Sequence, residues 1–221
     1  MKKLPLTLLT TLVFSASVSF PIQAQEYMFT YSKLFSQLKN NVKDDYKDVK
    51  VGFFFVNAQT KKLCPIEKAW MEKEKHYEEL STSINHELLL PLDDNLRQAN
   101  PLIFVDTPQD MRCDFSTVVM TKTPFEGQVS YEQVATLLPQ MQSLLEELGG
   151  MFASWFTPDV SGVTLEFANN LDSNIVLSNG QTIAIKNGKA QVAVEQIGNG
   201  GYMQLPEQTV RVLPYLPNAK K

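Results

Sequence analysis

Four side chains carry the most specific chemistry in this chain of 221 residues: its two cysteines, Cys64 and Cys113, and its two histidines, His76 and His86. Neither cysteine sits in a C-x-x-C pair or beside a histidine, so redox or zinc chemistry is disfavoured and mutual pairing is the expectation. Closing a loop of about 50 residues stabilises a fold by roughly 4 kcal/mol in the chain-entropy model. The histidines, with Glu78, Glu79 and Glu87, match no metal-ligand spacing and read as solvated charges. Asp93, Asp94, Asp106, Asp110 and Asp114 offer oxygen ligands but lack the spacing of a calcium loop, and turn residues explain them as well. No cofactor and no metal are therefore expected.

Catalytic motifs are equally sparse. The chain has no G-x-S-x-G elbow, no H-E-x-x-H pair and no phosphate-cradling glycine loop. The acidic pairs Asp44–Asp45 and Glu146–Glu147 lie in polar surroundings that suit a solvated face, so the expectation leans away from an enzyme. Aromatic groups point instead to recognition. Met151, Phe152, Trp155 and Phe156 form a dense cluster after a glycine pair and before Pro158; packing the helix onto a sheet is their ordinary role, and if displayed they are the candidate partner-binding site. Trp70 and Tyr77, on a charged strand, are weaker candidates for stacking on sugar rings.

The N-terminus bears on compartment. Lys2 and Lys3, an apolar run over residues 4–20, Pro21 and the small residue Ala24 read as a secretory signal peptide over residues 1–24, cleaved after Ala24. No later run is long and apolar enough to span a bilayer by a helix, and the expected location is the periplasm. A net charge of −4 without a basic stripe disfavours nucleic acid as a partner.

Element patterns place these groups. Residues 31–40 predict a short helix behind Thr30 as a cap. Val49, Val51, Phe53 and Phe55 alternate, and Phe54 and Val56 make both faces apolar, which predicts a strand in the middle of a packed sheet. A polar turn over 57–62, a return strand from Leu63 and strands over 102–105 and 113–121 follow. Leu88, Leu90 and Leu92 alternate ahead of a polar step around Leu96. The clearest helix covers 130–148, with Ser130 and Gln133 as a capping box, glycines at its exit, and Pro139 predicted to kink or split it. Strands are then predicted over 163–167, 175–178, 182–185, 190–194, 202–205 and 209–213. Asn179-Gly180 and Asn187-Gly188 are their turns, making a meander. The predicted class is α+β and β-rich, with two small antiparallel sandwich-like modules, 25–122 and 161–221, joined by an amphipathic helical segment over 123–160.

The stretches VKVGFFFVNAQTKKLC, EKAWMEKEKHYEE, LLLPLDDNLRQANPLIFVDTP, GGMFASWFTPDVSGVTLEF and LPEQTVRVLPYLP together resemble a family of uncharacterised secreted proteins of marine gammaproteobacteria, a domain of unknown function. That resemblance spans nearly all of the chain after residue 24 and implies a periplasmic setting, but it lends no activity, cofactor or site residue. The expected function is non-catalytic binding or scaffolding of another envelope component, through an exposed sheet edge or the 151–156 cluster. A glycan-binding module is the second expectation and a periplasmic hydrolase the third.

Overall fold

Alternating apolar residues build the N-terminal half. The computed structural model describes residues 25–150 and 157–217; the predicted signal peptide and the cluster of Met151, Phe152, Trp155 and Phe156 lie outside the described residues. Strand β1 (Gln25–Thr30) leads into helix α1 (Tyr31–Leu38), whose Thr30 cap is extended but makes no side-chain capping bond. Two 3-10 turns, Lys39–Val42 and Asp44–Tyr46, precede strand β2 (Val49–Asn57). Strands β3 (Lys68–Lys73) and β4 (His76–Glu79), helix α2 (Asp94–Ala99), and strands β5 (Leu102–Thr107) and β6 (Cys113–Thr121) complete this half. One antiparallel sheet has the order β1-β5-β3-β4, and β2 pairs with β6 in a separate two-stranded ladder from Val49↔Thr121 to Asn57↔Cys113. Val49, Val51, Phe53 and Phe55 point from β2 into a core shared with Tyr31, Leu34, Ile103 and Val105. Cys64 and Cys113 are joined by a disulfide that ties the segment after β2 to the start of β6.

β2 is buried on both faces, but its ladder has two strands rather than the wider sheet the sequence predicts. Irregular segments serve its other edge. The Asn41 side chain accepts from the Val51 N–H at 2.6 Å and donates to the Val51 carbonyl at 2.9 Å, doing the work of one residue of a neighbouring strand. Leu88 N–H donates to Phe53 O, Cys64 N–H to Phe55 O and Asn57 N–H to Lys62 O, at 2.8 to 2.9 Å. The return strand predicted from Leu63 meets β2 in a single bridge with Val56, and its continuation through Lys68, Trp70 and Glu72 forms β3, which pairs with β4 and β5 instead. Leu88 makes one bridge, to Thr82, and the polar step after it is helix α2, which the Asp93 carboxylate caps through the N–H groups of Asn95 and Leu96.

In the C-terminal half a short strand β7 (Gln128–Ser130) runs into helix α3 (Tyr131–Gly149). The capping box forms as its residues predict: Gln133 N–H donates to Ser130 Oγ, and Ser130 N–H donates to Gln133 Oε1. The helix is not split at Pro139 but continues through it. Packing on both sides holds it: Leu137, Met141 and Leu144 enter the first core, while Val134 enters a second. Strands β8 (Gly162–Glu166), β9 (Ser173–Leu177), β10 (Thr182–Ile185) and β11 (Lys189–Ala193) follow. Helix α4 (Val194–Ile197) and strands β12 (Tyr202–Gln204) and β13 (Arg211–Tyr215) end the described chain's regular structure.

The predicted meander is divided between two sheets. β9 and β10 belong to the sheet β10-β9-β12-β7, whereas β11 belongs to β11-β8-β13. The chain changes sheet at the Asn187-Gly188 turn, where both residues have positive φ (50° and 74°) and Lys186 and Lys189 bridge across it. Val163, Leu165, Ile175, Leu177, Val192, Met203 and Val212 fill the core of this second unit. Where β8 begins to pair with β11 the two backbones approach closely because position 162 is glycine: a Cβ there would lie 2.0 Å from the Val192 carbonyl oxygen. The fold is thus β-rich α+β, with several antiparallel sheets and the long helix α3 between them.

Candidate functional site

A row of three charges crosses the outer face of the sheet β11-β8-β13. Glu166, at the end of β8, is in register with Lys189 of β11 and Arg211 of β13. Along β8, Val163 and Leu165 face the second core, so the alternation turns Thr164 and Glu166 to the other side. Arg211 donates to Glu166 Oε2 through Nε, at 2.7 Å, and through Nη2, while Lys189 Nζ lies 2.7 Å from Oε1. Both Glu166 and Arg211 are buried, at 5% and 6% exposure. The guanidinium also sits 4.6 Å from the ring centroid of Phe54, the fully buried side chain on the outer face of β2. Burial by itself would raise the Glu166 carboxyl, but Arg211 and Lys189 outweigh it and hold the group below its ordinary value. It stays ionised at neutral pH, which makes it a poor proton donor or acceptor there.

Two clefts meet at Arg211. The larger, about 690 Å³, runs between the 60–63 turn of the first half and the 186–189 turn, β8 and β13 of the second. Lys61, Lys62, Lys186, Lys189 and Arg211 line it, with Glu166 as the carboxylate among its lining residues. Asn170 accepts from Lys62 Nζ across it at 3.1 Å. The smaller, about 450 Å³, lies between the 83–87 hairpin tip and residues 208–211. Its floor holds the Lys50–Glu87 ion pair, with both carboxylate oxygens 2.8 Å from Nζ, and Asn85 donates from there to the Val210 carbonyl.

The sequence-predicted candidates are dispersed. His76 and Glu78 line a groove beside β4, Glu87 is engaged by Lys50, and His86 lies at a hairpin tip with φ 63°. Among the described residues no three His, Cys, Asp or Glu side chains gather as metal ligands would. Asp93 caps α2, Asp94 pairs with Arg97, and Glu147 pairs with Lys43 and accepts from Tyr46. Trp70 stacks on Phe104, with rings 11° apart and centroids at 5.2 Å, and Lys68 Nζ is 4.8 Å from the Trp70 ring and 5.7 Å from that of Tyr77. One face of Trp70 is thus taken up by Phe104, while Tyr77 is 54% exposed. Glu166, Lys189 and Arg211 escape a sequence reading because register alone brings them together; the one local signal is a glutamate in the strand sequence VTLEF.

Fold and cleft together describe a β-rich α+β protein of two cores with a cationic junction, and no helix among the described residues is long and apolar enough to cross a membrane. A family model, the protein of unknown function DUF2987, matches residues 23–167, and the chain belongs to that family. Lys186, Lys189 and Arg211 lie beyond the matched stretch. No curated protein and no solved structure matches the chain.

Proposed function

We propose that this chain is an exported envelope protein that binds a partner, without catalysing a reaction, in the cleft between its two β-rich units. One observation carries the proposal: the buried Glu166–Arg211 pair, backed by Phe54, fixes the floor of a cleft whose walls come from the turns at 60–63 and 186–189. The Glu166–Arg211 pair joins β8 to β13 within the second unit, and the contact of the Arg211 guanidinium with Phe54 of β2 ties that sheet to the first unit. Export is supported by the N-terminal pattern and by the Cys64–Cys113 disulfide, a bond that persists in oxidising compartments.

Blocking the cleft tests this. Thr60 is exposed on its wall, and Thr60→Trp adds bulk there without touching either core. Tagged wild-type protein and Tyr77→Ala, altered at the remote β4 edge, should retain the same envelope component from the native host, and Thr60→Trp should lose it at an unchanged thermal midpoint. Equal retention by all three would place binding elsewhere.

A further inference from the structure

We infer that the occupant of the larger cleft is an acidic polysaccharide. The inference rests on the binding reading above and names the chemistry of the ligand. The chain as a whole carries a net charge of −4, yet five cationic side chains and a single carboxylate line this cleft, so its field runs against that of the rest of the surface. Arg211 is buried and committed to Glu166 and Phe54, so the accessible cations are lysines. Lysine ammoniums are point charges without the planar fork that seizes one carboxylate in two places, and a spaced array of them suits an anion whose charges are spread along its length.

Between the lysines the cleft offers amides and a hydroxyl, those of Asn170, Asn187 and Thr60, which match the hydroxyls of a sugar chain. Its aromatic lining residue, Phe167, is 6% exposed, so no ring is offered to stack on nucleic-acid bases. An acidic protein would find there no Trp, Tyr or Arg anchor accessible to its own side chains. A chain of sugars bearing carboxylates satisfies both the lysines and the amides.

The probe is alginate, a polyuronate, set against neutral dextran, polyglutamate and a single-stranded oligothymidylate, with the purified chain lacking residues 1–24. Alginate should bind with an affinity that falls log-linearly with salt, dextran should not bind, and polyglutamate and oligothymidylate should bind more weakly than alginate. Lys61→Glu/Lys186→Glu should weaken alginate binding about tenfold, and Lys61→Gln/Lys186→Gln by less, each with the wild-type thermal midpoint. Dextran binding as well as alginate, tighter binding of polyglutamate or oligothymidylate, or unaltered binding by both double variants would overturn the inference. If alginate fails to bind while Thr60→Trp still abolishes retention of the native component, the polysaccharide assignment falls and the binding cleft stands. If Thr60→Trp has no effect either, both fall.

Discussion

Glu166 is the residue on which the junction turns. Its carboxyl accepts from the buried Arg211 and from the half-exposed Lys189, and removing its charge leaves Arg211 buried beside a neutral amide. Glu166→Gln should therefore lower stability by about 3–5 kcal/mol near neutral pH, the range for breaking a buried pair by changing one partner. The pH dependence has a definite sign. Because the folded-state value is depressed below the unfolded-state value of 4.5, the stabilisation is fully present above that value and is lost as pH falls through the lower, folded-state value. Urea titrations from neutral to acid pH should show the wild-type advantage over Glu166→Gln shrinking at the acid end. Parallel curves would mean that the carboxylate is not held by its partners as the geometry implies. None of this is legible at position 166 alone, since an acidic residue after an apolar strand is ordinarily a solvated end.

At the scale of elements, strand β2 shows what pattern reading captures and where it stops. The alternation of Val49, Val51, Phe53 and Phe55 and the apolar Phe54 mark a strand buried on both faces, and that is what forms. The identity of its neighbours is not contained in the alternation, because backbone groups can be satisfied by any donor or acceptor that reaches them. Asn41, ten residues before Val51, supplies two such bonds from a 3-10 turn. Asn41→Ala should cost about 2 kcal/mol and speed hydrogen exchange at the Val51 amide more than at amides bonded to β6. Uniform acceleration across β2 would point to global destabilisation instead. The α3 capping box was readable because its spacing is local, whereas Pro139 alone does not say that packing on two cores keeps the helix from being split there. The turn at Asn187-Gly188 is equally plain, but which sheet each flanking strand joins depends on partners far along the chain.

Across the whole molecule, the disulfide and the cleft operate on different parts of the chain. Cys64 and Cys113 are 49 residues apart, so losing their bond frees a long loop in the unfolded chain, and Cys64→Ser should lower stability by about 2–5 kcal/mol. Equal thermal midpoints for the wild type with and without reductant would contradict that. The class of fold and the cysteine pair could be read from composition, spacing and periodicity. The cationic cleft could not, because Lys61 and Lys186 are ordinary exposed turn lysines until folding places them on one hollow. The central claim is that this hollow meets the partner, and site-specific photo-crosslinking in the native host tests it most directly. With the photoreactive group at Thr60, on the cleft wall, a discrete adduct is predicted, and with the group at Tyr77, 54% exposed on β4, none. An adduct from position 77 with nothing from position 60 would contradict the account and move the binding surface to the sheet β1-β5-β3-β4.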